Sequence, residues 1–197
     1  MSTSKPIVKG FFEPRTFSIQ YVVTDPETKK CAIIDPVLDF DEKSGATSTS
    51  SADEILAYVK AEGYEIEWIL DTHPHADHFS AASYLNKVTG APTAIGEKVV
   101  EVQKLWKGIY NWPEFGADGS QWDRLFAEGD TFKVGNIPAR VLFSPGHTCL
   151  DHLCDRRCGV RSRHAVHAGF RHRARRLSGR QRDAALQFDH GDPGPAG

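Results

Sequence analysis

The sequence predicts an α/β (α+β) protein in which helices cover a sheet. Three observations carry that prediction. Short β-rich runs, IVKGFFE, FSIQYVVTD and CAIIDPV, are broken by proline and by the turn signal DPETKK. Segments with apolar residues at helical spacing alternate with further strand-like runs. The chain has 197 residues, 40% hydrophobic and 25% charged, which suits an ordinary globular protein with a full core.

The elements follow in order. After the three β-rich runs, SGATSTSS reads as a polar loop that ends in Ser51. Glu54 stands three residues later, which is a capping-box pattern. The helix ADEILAYVKAEG places Ile55, Leu56 and Val59 at helical spacing and stops at Gly63. YEIEWILDT is the next strand, HFSAASYLNKVTG a helix ending at Gly90, and PTAIG a short strand. EKVVEVQKLWKGIYNW is a longer helix. TFKVGN and PARVLFSPG are two more strands, the first closed by a Gly-Asn turn.

No run of about eighteen apolar residues exists, so no membrane-spanning helix is expected. The N-terminal MSTSKPIVKG lacks the apolar stretch of a signal peptide, so a cytoplasmic location is the expectation. Four cysteines argue against a disulfide scaffold.

The net charge of −2 conceals a break. Through Thr148 there are 14 Lys plus Arg against 21 Asp plus Glu. From Cys149 onward there are 10 Arg, 5 Asp and no Lys, with three of the four cysteines and five of the nine histidines. No Ile, Trp or Tyr follows Cys149. The expected organisation is one folded unit over residues 1–148 and a separate Arg-rich tail over 149–197.

Chemistry concentrates in DTHPHADHFSA, residues 71–81. His73 and His75 alternate, so their rings can point the same way from an extended or loop backbone. Asp77 and His78 follow. Imidazole and carboxylate suit Zn or Fe(II), and a loop at a strand end is where a rigid scaffold places ligands. The bland alternative is a polar loop with Asp77 as the N-cap of the next helix, but four ligand-type residues in six positions outweigh it. His147 in LFSPGHT, behind a Pro-Gly turn, is the natural third imidazole.

THPHADH together with SPGHT resembles the metallo-β-lactamase superfamily. GFFEPRTFSIQYVV, AIIDPVLDFDEKSGAT and EWILDTHPHADHFSAA resemble the branch that holds bacterial persulfide dioxygenases, with glyoxalase II thioester hydrolases as neighbours. The resemblance implies a four-layer αββα sandwich with metals at one edge, of which this chain carries the N-terminal part. It implies that His73, His75 and His147 form a first metal site, and that Asp77 and His78 belong to a second site in binuclear members. In the dioxygenase scheme His73 and His147 would hold one Fe(II) with a later aspartate, the two-histidine-one-carboxylate set that leaves positions open for substrate and O₂. In the hydrolase scheme two Zn(II) ions activate water, and Asp77 is the catalytic residue that orients it.

The later aspartate is missing from its expected context. Permitted codons for the stretch that begins CDRRCGVRSRHAVHAG, read one base later, can encode VIGDAAFVHDTLFMPDFG, which resembles what the family carries there. A frame change at Thr148 or Cys149 is therefore the expectation, with an out-of-frame, disordered tail. The competing readings are weaker. Ten arginines suit phosphate contacts, but only Phe170 and Phe188 accompany them, so no base-stacking platform is visible. Cys149, His152, Cys154 and Cys158 match no common zinc-finger spacing.

Three functional readings follow from the resemblance. The first is a glutathione persulfide dioxygenase of sulfide detoxification with one Fe(II). The second is a binuclear zinc thioester hydrolase. The third is a non-catalytic remnant of either. The partner in the first two is a small thiol compound, glutathione persulfide or a glutathione thioester. Nucleic acid and membrane are not expected partners, and a homodimer is left open. With the family's later strands replaced, the expectation is a chain nearly inactive and marginally stable, its first sheet short of packing partners.

Overall fold

The computed structural model describes residues 5–143 and the pair 187–188. His147 lies outside the described residues, as do the predicted boundary at 148 and, apart from that pair, the tail over 149–197.

A mixed six-stranded sheet is the centre of the fold, in the order β1-β2-β3-β6-β8-β9. β2 (Ser18–Thr24) pairs antiparallel with both β1 (Ile7–Glu13) and β3 (Lys30–Ile34). β6 (Glu65–Leu70), β8 (Thr93–Gly96) and β9 (Arg124–Phe126) continue from β3 in parallel. A small sheet of β5 (Ala46–Ser48), β4 (Val37–Asp41) and β7 (Phe79–Ser80) stands beside it. The hairpin β10 (Thr131–Val134) and β11 (Ile137–Arg140) begins a third sheet, to which the backbone of β12 (Gln187–Phe188) pairs.

Successive residues of a strand point to opposite faces, and the central strands use both. Val22, Cys31, Ile33 and Ile69 face one way, onto α1 (Ser50–Ala61) and α2 (Ala82–Thr89), with Ile55, Val59 and Leu85 fully or nearly buried among them. Val23, Ala32, Ile34 and Leu70 face the other way, onto Phe132, Val134, Ile137, Ala139 and Val141 of the β10–β11 hairpin and the residue after it. Helices, sheet and second sheet thus form three successive layers. This arrangement corrects one expectation: the first sheet does not lack a partner, because residues 132–141 cover its second face. Burying one such side chain contributes about 1.5–3 kcal/mol, so this cover matters to stability.

Helix ends agree with the sequence at their C-termini. Gly63 and Gly90 adopt positive φ, and the Gly90 amide bonds to the Asn86 carbonyl. The N-termini differ. Ser51 lies inside α1, and no capping box forms with Glu54; Thr49 is the N-cap. Asp39 of β4 supplies the acceptor, taking the Ser51 amide at 2.9 Å and its hydroxyl at 2.6 Å. A distant carboxylate at the helix start replaces the local cap. Residues 79–80, read as helix, pair with β4 instead, and α2 starts after Ala81, so Asp77 is not its N-cap. The loop read over 44–51 contains the strand β5, and the hairpin β4–β5 escaped the sequence reading. α3 (Val99–Ile109) forms where EKVVEVQKLWKGIYNW places it.

A candidate metal centre at the end of the central strands

β3 and β6 are parallel neighbours and end at the same edge, where the Asp35 amide donates to the Leu70 carbonyl at 2.8 Å. The chain leaves β6 into residues 71–78 and is caught again by β7 on β4. The loop is therefore fastened at both ends. At its start, the Asp71 amide bonds to Ala94, and the buried Asp71 carboxylate accepts Ser80 Oγ at 2.7 Å and Trp122 Nε1 at 2.9 Å. Burial pushes the Asp71 carboxyl up to about 6 despite those two bonds.

Three imidazoles crowd together in this loop, their rings tilted to one another. Ring centroids of His73 and His75 are 4.1 Å apart, as are those of His75 and His78. One nitrogen of each ring is engaged by a neighbour. Thr72 Oγ1 lies 2.8 Å from His73 Nδ1. Asp35 Oδ1 lies 3.0 Å from His75 Nε2. Ser18 Oγ lies 3.2 Å from His78 Nδ1. Histidine ligands are commonly oriented in this way, with the second nitrogen left to the metal. The opposite atoms, His73 Nε2, His75 Nδ1 and His78 Nε2, are then the ones that would ligate.

Asp77 completes the group. Its carboxylate oxygens lie 3.8 Å from His75 Nδ1 and 3.4 Å from His78 Nδ1. One donor atom from each of His75, Asp77 and His78 falls within 4.8 Å of the others, about twice a metal–nitrogen bond. His78 Nε2 is buried and has no hydrogen-bond partner among the described residues. A buried, unsatisfied nitrogen is costly unless something binds it. The residues fit a divalent ion.

Electrostatics treat the two rings differently. Burial and the neighbouring His75 hold the His78 pKa below its ordinary value, which keeps the ring neutral, the form that ligates. Burial works against charge on His75, but the bond to Asp35 and the charges of Asp35, Asp71 and Asp77 outweigh it and raise the pKa. Asp77 is held below the usual carboxylate range: its own backbone bond and the two imidazoles outweigh burial. A cleft of about 300 Å³ opens onto the group, with Arg15, Thr16, Phe40 and Phe79 among its lining residues.

Of the predicted site residues, His73, His75, Asp77 and His78 come together; His147 lies outside the described residues. Three contributors escaped the sequence reading: Asp35, Thr72 and Ser18. Asp35 carried a signal, being an acid just past the buried run CAII, at the carboxyl end of a strand where ligands gather. Ser18 carried none, because its contact spans 59 residues of chain.

The layered sheets and the histidine-rich loop at their edge define a metal-dependent class of protein. The family model described as Metallo-beta-lactamase superfamily matches residues 15–159, and the chain belongs to that superfamily. A beta-lactamase hydrolase-like protein of Xylella fastidiosa is 72% identical over 143 residues, 73% of this chain and 33% of that protein. Glyoxylase B2 of Dictyostelium discoideum is 45% identical, covering 74% of this chain and 51% of its own length. The mitochondrial persulfide dioxygenase ETHE1 of Mus musculus is 25% identical, covering 72% and 44%. The crystal structure of ETHE1 from Myxococcus xanthus superposes with a TM-score of 0.53 and 25% identity, over 72% of this chain and 50% of that one. The chain thus spans about a third of the length of the first curated relatives it matches, 33% to 34%. No helix among the described residues is long and apolar enough to cross a membrane, which says nothing of a β-barrel.

Proposed function

We propose that this chain carries the metal-binding half of an enzyme that acts on a sulfur atom of a glutathione-type thiol compound, first as an Fe(II)-dependent persulfide dioxygenase. The observation that carries the reading is the cluster of three close histidine rings, each oriented by one neighbour, with His75 and His78 grouped with Asp77 closely enough to share an ion. The likeness to proteins named persulfide dioxygenase and glyoxylase supports the substrate class.

When bound, the metal supplies the chemistry: activation of O₂ by iron in the first reading, Lewis-acid activation of water by zinc in the second. The chain's own residues hold and orient. His73, with His147 and a later carboxylate, would form the iron set, while Asp35 fixes His75 and Ser18 meets His78. The second reading, a binuclear thioester hydrolase, is supported by one observation: Asp77 and His78, the pair assigned to a second metal, lie close to His75 of the first, and Asp77 would orient the water. The family's late carboxylate lacks its context in the sequence after Thr148. The 197-residue chain is accordingly proposed to bind metal while turning over little or no substrate, in the manner of a remnant.

The test compares this chain with one whose frame is restored after Thr148. Iron content and O₂ uptake with glutathione persulfide in the restored chain support the first reading. Zinc content and thioester hydrolysis without O₂ support the second. Equal turnover in both chains would overturn the role given to the late carboxylate. In the restored chain, His73→Ala and His147→Ala should each abolish activity. Full activity in His75→Ala would favour the mononuclear scheme.

A further inference from the structure

The hairpin that joins β1 to β2 reaches the metal loop through one hydroxyl. Its turn is built on Glu13, a buried carboxylate that accepts the amides of Arg15 at 2.8 Å and Thr16 at 2.7 Å. Thr16 Oγ1 lies within reach of Glu13 and of Ser18 Oγ, the latter at 2.9 Å. Ser18, at the start of β2 and half-buried, then meets Asp77 Oδ2 and His78 Nδ1, each at 3.2 Å.

The proton inventory fixes the roles. A serine hydroxyl has one proton and two lone pairs, and an ionised carboxylate only accepts. Thr16 Oγ1 shares its one proton between Glu13 and Ser18, so Ser18 accepts there and its own proton goes to Asp77. Its second lone pair is left as an acceptor, so the contact with His78 requires the proton on Nδ1. The Asp77 carboxylate at 3.4 Å from the same nitrogen favours a proton there and disfavours a lone pair. The tautomer that results has its lone pair on Nε2, the buried atom with no hydrogen-bond partner among the described residues.

We infer that Ser18 is a positioning residue: its hydroxyl locks His78 as the Nδ1–H tautomer and holds the Asp77 carboxylate beside it, so that both present donors to one ion. This rests on the metal reading proposed above. It ties metal affinity to a residue far from the histidine motif and to the order of the β1–β2 turn.

The experiment uses the full chain. Zn(II) and Co(II) are titrated against a chromophoric chelator for the parent, Ser18→Ala and Ser18→Thr. Ser18→Ala should bind about 10- to 100-fold more weakly, the range for loss of a partner that orients a ligand, and its Co(II) spectrum should change. Ser18→Thr, which keeps the hydroxyl, should restore both. Long-range proton–nitrogen correlation spectra of the metal-free parent should show His78 protonated at Nδ1, with the resonance assigned by its loss in His78→Gln. Parent-like affinity in a folded Ser18→Ala, or a proton on Nε2, overturns the inference. Should Ser18→Ala fail to fold, Ser18→Thr and the tautomer of the parent still decide. A parent that binds neither ion overturns the metal reading instead, and the tautomer still reports on Ser18.

Discussion

Strand β3 is bracketed by two aspartates that use the same device to different ends. Asp25 precedes it and is fully buried. It accepts the Glu27 amide at 3.0 Å, Thr28 Oγ1 at 2.7 Å and the Asn136 amide at 2.8 Å. Asp35 follows the strand and is also buried. It accepts the Thr72 amide at 2.7 Å and Thr72 Oγ1 at 2.8 Å, and pairs with His75 Nε2 at 3.0 Å. In both, burial would raise the carboxyl pKa. Bonds from Asn136, Thr28 and Glu27 outweigh it at Asp25, and His75 and Thr72 outweigh it at Asp35, so both pKa values are lowered. The partners make the difference. Those of Asp25 end in backbone and hydroxyl, and the result is a fastening between the central sheet and the β10–β11 turn. The chief partner of Asp35 is an imidazole with a second nitrogen to offer, and the result is a site.

The comparison can be broken most sharply at Gly135. It has φ of +60°, and a Cβ there would collide with Thr28 Oγ1 and Asp25 Oδ2. Gly135→Ala should cost at least about 2 kcal/mol, because strain and collision coincide at one turn. Denaturant unfolding measures it, and an unchanged midpoint would mean that the two turns do not touch as described. Metal affinity per folded molecule should not change.

Asp25→Asn should come next, at about 1–3 kcal/mol, because an amide nitrogen turned toward the Asn136 donor leaves a buried amide unsatisfied. The sign of its pH dependence is set by the depressed pKa. Stability from Asp25 is fully present above the unfolded value, about 3.9, and is lost as pH falls through the lowered folded value. The gap between parent and variant should therefore close as pH drops below about 4. A gap that widened in acid would contradict the assignment.

Asp35→Asn should show the complementary pattern. Asp35 has φ of +51°, a conformation that Asn also tolerates, so the backbone should hold. Metal affinity should fall about 10- to 100-fold, with a smaller effect on unfolding than Gly135→Ala. Chelator competition reads the first and denaturation the second. If Asp35→Asn left affinity intact, the orienting role given to Asp35 would be lost.

The smallest effect is expected at Arg15→Ala. Its pairing with Asp41, at 3.6 Å, joins two side chains that are about half exposed, and such pairs contribute little. No measurable change in melting temperature is expected. A clear loss would show that this wall of the cleft supports the fold.

What the sequence disclosed follows from the range of each interaction. Strands with buried alternation, the C-terminal glycines of α1 and α2 and the Gly-Asn turn are local, and they were legible. So was the ligand density of residues 73–78. Ser51 was misread because Asp39, twelve residues away, displaces the local capping partner. Phe79 and Ser80 were read as helix because their pairing with Val37 and Leu38 outweighs local preference. Ser18 and Thr72 were missed because hydroxyls signal nothing until the fold brings an imidazole beside them.

The two faces of the central sheet also differ in when a growing chain can close them. The helix-side cluster draws on residues from Phe11 to Ala91, so it is complete well before the hairpin strands are made. The opposite cluster reaches from Val23 to Val141. During synthesis, Ile34, Leu70 and Trp68 must wait on a wet surface for the β10–β11 hairpin to emerge, the interval in which a chaperone or a second nascent chain competes for them. Among the described residues, the helix-side cluster ends at Ala91 and the hairpin-side cluster at Val141. Every described residue of these two clusters has therefore been supplied before synthesis reaches the point where the sequence changes character.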